Sequence, residues 1–422
     1  MCSKLGAEVV GSIEPRKPIF LLFSWLAITF IRALLWKITR IGFLLNKELR
    51  VVYGSDIVIR LGGEMYTHNP SIFIIFAHSY SLLLAKVFGK PYMILSQAIG
   101  PVKETLTRTI LAKYVLNGAE LITIRDIVSY NFLVNRLRIE PHKVHIYPDL
   151  AFSLSAEEDI NLPFAKTGEV IGINISPHVP RFMFPSLNLE DKHELFLKLM
   201  SEIIDEITEK FNVVMIPSVT GPENPIGMFK HCDDRINMEK ILANMTDETK
   251  ISHMYVLSSS TLKQLKGGLS KCMLFIGCRM HSIVFAISLG IPSIGLAYSE
   301  KTIELFDLIG LSEYVVDLRN KEYEELRNEI LIKFKNILVN HSDVAGILKN
   351  VSKEFKDRSR AHALAVRWVH LKKGRGTCFG CGTCVSACPN GAIRMVLNHY
   401  GEYNPKISFD RCNECWRCIF SC

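Results

Sequence analysis

Leu274-Phe275-Ile276-Gly277-Cys278-Arg279-Met280-His281-Ser282 is a short apolar run that passes through a glycine into polar residues and then into a second apolar stretch ending near Leu289. Three or four apolar residues are too few for a helix, whereas the stretch that follows has helical length, so the segment reads as a strand feeding directly into a helix. A strand with no polar residue in it is covered on both faces, which is the pattern of a parallel sheet in an α/β domain. The same alternation extends outward. Strands are expected at 170–175, 213–216, 254–257, 274–277 and 293–296, with helices near 189–211, 237–245, 262–270 and 280–289. An earlier series places strands at 8–11, 57–61, 92–96, 121–124 and 144–147, and helices around 73–88, 106–116 and 126–137.

Two such series predict two doubly wound α/β domains facing each other across a cleft. The polar, acidic stretch 153–168 is the hinge between them. The expected boundaries are 1–155 for the first lobe and 160–345 for the second, followed by a helical linker over 346–374 and a small module over 375–422. Lys4-Leu5-Gly6-Ala7-Glu8-Val9-Val10 reads as a last helical turn, a glycine stop and a strand, so the first lobe is entered as though its first βα unit were missing. Cys422 is the final residue, and the closing module reads as truncated.

That module carries eight of the twelve cysteines, in two matched runs: Cys378-x2-Cys381-x2-Cys384-x3-Cys388-Pro389 and Cys412-x2-Cys415-x2-Cys418-x3-Cys422. This is the thiolate spacing of a two-cluster bacterial-type ferredoxin, in which the fourth cysteine of each run crosses to the other cluster. By that rule Cys378, Cys381, Cys384 and Cys422 hold one 4Fe-4S cluster, and Cys388, Cys412, Cys415 and Cys418 hold the second. Structural zinc uses separated pairs and disulfides need an oxidising compartment, so both fit poorly. Cys2, Cys232, Cys272 and Cys278 have no pairing pattern and read as reduced intracellular thiols.

The chain has 422 residues, 48% hydrophobic and 22% charged, which excludes disorder as the default. Its formal charge of +8 falls to about +4 once two oxidised clusters and their thiolates are counted. No basic stripe interleaved with aromatics is present, so nucleic acid is not an expected partner; anionic substrates or a membrane surface suit the charge better. The apolar run 19–31 is interrupted by Arg32, Lys37 and Arg40, short of the ~20 residues a spanning helix needs. It reads first as a buried helix of the α/β domain. The other reading is a helix lying on the bilayer, with Trp25, Trp36 and the basic residues at the headgroups, which would put the protein at the cytoplasmic face of a membrane.

In open α/β sheets ligands bind beyond the carboxyl ends of the strands. Arg279 and His281 stand there at the start of a helix, where backbone N–H groups and the positive dipole end favour an anion. A guanidinium suits a phosphate or carboxylate, and an imidazole moves protons near neutral pH. Taken alone, one histidine at a helix start is more often a cap or a core residue. Similar placements hold for Gly62-Gly63-Glu64, for Gln97-Ala98-Ile99-Gly100-Pro101, for Arg125-Asp126, for Asp149 and for Asn174-Ile175-Ser176. A tight turn accounts equally well for the glycines, and for Arg125-Asp126 an ion pair with Asp126 capping the next helix is as good a reading as a substrate role.

The ordered set Gly62-Gly63-Glu64, Gly89-Lys90-Pro91, Gln97-x2-Gly100-Pro101, Arg125-Asp126, Asp149, Gly172-x-Asn174, Ile216-Pro217 and Arg279-Met280-His281-Ser282 with Gly290-Ile291-Pro292 resembles the polysaccharide pyruvyl transferase family over roughly residues 5–345. The resemblance implies a GT-B-like fold and transfer of the enolpyruvyl carbon of phosphoenolpyruvate to sugar hydroxyls of a cell-surface or lipid-linked glycan, leaving a pyruvate ketal. It implies catalytic roles for Arg279, His281 and Arg125, with the two arginines clamping the donor and His281 protonating its methylene carbon. Gly62, Gly63, Glu64, Asp149, Asn174 and Ser282 are then candidates for substrate contacts. Three departures stand out: the glycine-rich loop that opens the family is absent, Ser218 stands where relatives often carry histidine, and Glu64 replaces a third glycine.

The cysteine module, with Gly401-Glu402-Tyr403-x-Pro405 between its runs, resembles the opening of the deazaflavin-dependent hydrogenase beta-subunit family. Two alternatives to the transferase therefore stay open: an iron-sulfur electron-transfer protein serving a flavin or deazaflavin partner, and an inactive fragment.

Overall fold

The computed structural model describes residues 19–66, 71–101, 106–162, 169–219, 233–245, 254–257, 261–373, 381–397, 403–408, 411–412 and 417–420. The chain divides into two compact units, Met1–Leu150 together with Arg358–Cys422, and Ala151–Asp357. The expected strand at 8–11, the glycine linker at 374–376 and Cys2, Cys232, Cys378, Cys415 and Cys422 lie outside the described residues.

The first unit is built on a parallel sheet of β1 (Val58–Leu61), β2 (Glu64–Met65), β3 (Tyr92–Ile99), β4 (Leu121–Ile124) and β5 (Val144–Ile146), in the order β1-β3-β4-β5 with β2 also paired to β3. Successive side chains of a strand point to opposite faces, and β3 shows both faces covered. Tyr92 and Ile94 join Leu82, Val115 and Ile122 in one cluster, whereas Met93 and Leu95 pack with Leu121, Ala365 and Val369. Ala365 and Val369 belong to the helix His341–Lys373, whose second half returns to this unit after its first half has packed in the other. This double cover explains why β3 has no exposed residue and opens with the apolar run Tyr92–Leu95.

The apolar stretch near the N-terminus is the helix Ile19–Thr39. Its Leu26, Ala33 and Trp36 pack with Leu49 and Val52 of the helix Lys47–Gly54 and with Tyr80 and Leu84 of the helix Ile72–Phe88. Among the described residues no helix is long and apolar enough to cross a membrane.

The second unit carries six parallel strands, β6 (Val170–Asn174), β7 (Asn212–Met215), β8 (Met254–Val256), β9 (Leu274–Gly277), β10 (Ser293–Ala297) and β11 (Val315–Asp317), in the order β11-β10-β9-β6-β7-β8. The first strand in sequence is central, and the chain winds away from it to one side through β7 and β8 and to the other through β9, β10 and β11. The winding reverses between β6 and β9, where Asn174 stands in register with Gly277. That reversal opens a crevice at the carboxyl ends of the strands, the position where doubly wound sheets take ligands. At the C-terminus β12 (Ile393–Leu397) pairs antiparallel with β13 (Tyr403–Ile407), and the one-turn helices Thr383–Ser386 and Arg417–Phe420 pack together.

Candidate functional site

The reversal point of the second sheet is occupied by a bonded constellation. Asp233 caps the helix Asp234–Asn244, its side chain accepting from the backbone N–H of Arg235 at 3.0 Å, which fixes Asp234 as the first helical residue. The Asp234 side chain has no exposed surface. One of its oxygens accepts from Nε and Nη2 of Arg279 at 3.1 and 2.7 Å. The other accepts from the backbone N–H groups of Ser218 and Val219 at 3.0 and 3.1 Å and from Nδ2 of Asn174 at 3.3 Å. A buried carboxylate is tolerated only when its lone pairs are filled this way.

Asn174 ties the strand ends together. Its Nδ2 also donates to the carbonyl of Ile216 at 2.8 Å, and its Oδ1 accepts from the backbone N–H of Arg279 at 3.0 Å. The carboxyl ends of β6, β7 and β9 are thereby locked through one fully buried amide. Arg279 precedes the helix Met280–Leu289 without capping it by side chain, so its guanidinium is free to lie on Asp234 with 15% of the side chain exposed.

In the first turn after Arg279 come His281, which is exposed, and Ser282, which is buried and shares a hydrogen bond with the hydroxyl of Ser218. Ser218, the serine at the position where a histidine was the family expectation, is therefore an integral part of the arrangement. His178 follows β6 after the buried Ser176; burial lowers it from the ordinary histidine value, with Arg279 and then Arg181 adding to the effect, so it stays neutral. Cys278 has no exposed surface, and burial pushes its thiol up to about 12, which keeps it protonated and inert as a nucleophile.

The N-terminal unit has a group of its own. Gly62 and Gly63 follow β1 with φ of +61° and +89°, a conformation open to glycine and costly for other residues. The Gly62 carbonyl accepts from the Gln97 side chain. The Gly63 carbonyl accepts from the Ala98 backbone N–H at 3.2 Å and from Nη2 of Arg125 at 3.3 Å. Nη1 of Arg125 donates to Asp149 at 2.5 Å, with only 5% of the arginine side chain and 10% of the aspartate side chain exposed. Asp126 caps the helix Ile127–Tyr130 by accepting from the Ser129 N–H at 2.6 Å, and Glu64 sits in β2 opposite Ala98.

Of the residues expected from sequence, the fold places Asn174, Arg279, His281 and Ser282 at one strand-end site of the second unit and joins Arg125 to Asp149 and to the Gly63 carbonyl in the first. Sequence reasoning missed Asp234 and His178. For His178 a signal existed, since it closes the polar run that begins at Asn174. Asp234 had none beyond its place in a charged run, Asp233-Asp234-Arg235.

In the cysteine module Cys381 is exposed, and Cys384, Cys388, Cys412 and Cys418 are half-buried. The Cys418 thiol is raised by burial and then by Cys412, with Cys384 and Cys388 acting in the same direction, so these four sulfurs are neighbours. Cys388 Sγ accepts from the Ala392 N–H at 3.2 Å, a bond of the type that stabilises cluster-ligating thiolates. Among the described residues no three ligating side chains close on a single-ion site. A cubane is bound by thiolates at its corners and asks for a wider spread than a single ion does.

The polysaccharide pyruvyl transferase family model matches residues 12–300, and a 4Fe-4S dicluster domain model matches residues 377–422. Among characterised relatives the chain is similar to the amylovoran biosynthesis protein AmsJ of Erwinia amylovora, 23% identical over 302 residues that cover 68% of this chain and 67% of that protein. The cysteine module is similar to the ferredoxin-type protein NapF of Haemophilus influenzae, 43% identical over 42 residues, 10% of this chain and 24% of that protein. Among solved structures it resembles a UDP-N-acetylglucosamine 2-epimerase from Listeria monocytogenes (TM-score 0.53, 12% identity, 87% of this chain and 84% of that one). It also resembles the S. aureus MnaA-UDP structure (TM-score 0.52, 10% identity, 87% and 85%). These likenesses bear on fold alone and make it GT-B-like, in keeping with the two α/β units and the crevice in the second. The chain belongs to the polysaccharide pyruvyl transferase family and carries a 4Fe-4S dicluster domain at its C-terminal end.

Proposed function

We propose that this transferase moves the pyruvyl group of phosphoenolpyruvate onto hydroxyls of a cell-surface or lipid-linked polysaccharide, with the donor's anionic groups received at Arg279. The observation that carries the reading is the Arg279–Asp234 pair at the reversal point of the second sheet, with exposed His281 two residues further along the same helix start. Asp234 fixes the plane and height of the guanidinium, and the first turn of the helix adds its dipole to the attraction for an anion.

In the reaction one acceptor oxygen bonds to the central carbon of phosphoenolpyruvate while His281 gives a proton to the methylene carbon. A second hydroxyl then displaces phosphate at the same carbon. Of the two hydroxyl protons one ends on the new methyl group and the other on phosphate, and no net electron is exchanged. Asn174 and Ser282 support the strand ends and helix that carry Arg279 and His281, and Gly62, Gly63, Glu64 and Asp149 are candidates for substrate contacts. Arg125 is nearly enclosed, with Nη1 donating to Asp149 and Nη2 to the Gly63 carbonyl. We assign it a positioning role, holding the Gly62–Gly63 turn. The donor is a metabolite of the cytoplasm and the clusters need reducing conditions, so we place the reaction there.

The test is phosphate release from phosphoenolpyruvate by the full, cluster-loaded chain in the presence of glycan acceptors. Release that depends on acceptor supports the reading; none with any acceptor rejects it. The dicluster domain favours a second activity on the same chain, electron transfer to a flavin or deazaflavin partner. Pyruvyl transfer leaves the clusters no redox step to perform.

A further inference from the structure

The helix Ile19–Thr39 is apolar on two sides, and only one of them is packed. Leu26, Thr29, Ala33 and Trp36 face the core. On the other side Ile28, Ile31, Leu34, Leu35 and Ile38 recur at the three- and four-residue intervals that line up one helix face. They are exposed by 59, 54, 41, 45 and 81%. The surface continues past the helix through Ile41 and Phe43. It is flanked by exposed Phe73, whose ring lies 5.7 Å from that of Phe23, and by exposed Tyr53, 4.7 Å from the ring of Trp36. Single exposed apolar residues need no explanation, but a contiguous face of this kind marks a contact.

The charged residues of the helix and of the turn after it are basic, the first acid being Glu48 in the next helix. From Ile19 to Lys47 the sequence contains Arg32, Lys37, Arg40 and Lys47 and no aspartate or glutamate. Lys37, Arg40 and Lys47 are exposed, and Arg40 lies over the Trp36 ring at 4.7 Å. Arg32 instead holds the chain beyond the helix, donating to the carbonyls of Leu44 and Phe43 at 3.1 and 2.9 Å. An apolar helix face rimmed by lysine and arginine is the composition that lies flat in the headgroup region of an anionic bilayer. No helix among the described residues crosses a membrane, so the contact is with the surface.

We propose that the face formed by Ile28, Ile31, Leu34, Leu35 and Ile38 docks this protein on an anionic lipid bilayer, with Lys37, Arg40 and Lys47 at the headgroups. This stands on exposure and charge alone and does not depend on the transferase chemistry.

The test is co-sedimentation of the full, cluster-loaded chain with vesicles of phosphatidylcholine alone or mixed with phosphatidylglycerol. Wild type binds the mixed vesicles and releases from them as salt is raised. Ile31→Glu with Ile38→Glu abolishes binding. Lys37→Gln with Arg40→Gln weakens it on the order of thirtyfold, from about 1 kcal/mol for each basic residue at an anionic surface. All four positions are exposed, and unchanged melting temperature and iron content verify that the variants fold. The proposal is overturned if wild type binds neither vesicle, or if binding survives the two Glu substitutions. It is equally overturned if the face instead joins two copies, seen as a concentration-dependent dimer that Ile31→Glu with Ile38→Glu dissolves without any vesicle binding.

Discussion

Asp234, with no exposed side-chain surface, accepts from Nε and Nη2 of Arg279 through a single oxygen, while its other oxygen holds the backbone of Ser218 and Val219. One carboxylate therefore joins the loop after β7 to the start of the helix Met280–Leu289. Replacing it by alanine strands a buried guanidinium and two backbone donors. Asp234→Ala should destabilise the second unit by about 3–5 kcal/mol, the usual cost of breaking a buried pair from one side. Asp234→Asn keeps the shape and an acceptor and should cost less. Urea unfolding of the two variants measures both.

The strands that Asn174 and Gly277 close were within reach of the sequence, because 170–173 and 274–277 carry no polar residue and read as strands covered on both faces, whereas their mutual register was not. β11 was not, since Val315-Val316-Asp317 is three residues long at a sheet edge, and neither was β2, two residues placed directly after paired glycines that read as a turn. The site was half legible. Arg279 and His281 follow a clear strand-to-helix junction, whereas Asp234 arrives from a helix start far along the chain and only the fold makes it a partner. Helical periodicity over 341–373 likewise gave no sign that Ala365 and Val369 would cover the sheet at Met93 and Leu95, because a helix pattern does not state which sheet its face meets.

Lys266 is buried with no acid beside it, its Nζ donating to the Leu154 carbonyl at 2.7 Å. Burial, and secondarily Lys356, lowers it to about 8. The unfolded chain holds that proton up to about 10.4, so between the two values the unfolded state binds more protons and stability rises with pH. Wild type should gain stability relative to Lys266→Met as pH rises from about 8 to about 10.5. The check is a comparison of unfolding free energies of the two chains across that range.

His362 in the first unit predicts the acid limb. It is 2% exposed and lowered chiefly by burial; one ring nitrogen meets the Ser359 carbonyl at 2.9 Å, and Nε2 has no partner among the described residues. As pH falls below about 6.5 the unfolded chain takes up the proton first, so the stability present above that value is progressively lost. The melting temperature of wild type should fall over this window more steeply than that of His362→Gln.

Cys418 neighbours Cys388 and Cys412, the three sharing one cluster by the crossed assignment. Reconstituted wild type should hold about eight irons per chain, and Cys388→Ser or Cys418→Ser should each lose the same cluster, leaving about four. Cys381→Ser should lose the other one. Iron analysis with paramagnetic resonance of the reduced protein distinguishes the two sets, and identical spectra from Cys381→Ser and Cys418→Ser would refute the assignment.

His281 is exposed and takes no part in the bonds between Arg279 and Asp234, so His281→Ala tests chemistry with that pair left in place. The decisive measurement is acceptor-dependent phosphate release from phosphoenolpyruvate by wild type and His281→Ala, alongside calorimetric binding of phosphoenolpyruvate to both. The account predicts equal binding and a loss of release of about a hundredfold or more in the variant. Release at the wild-type rate by His281→Ala would contradict it.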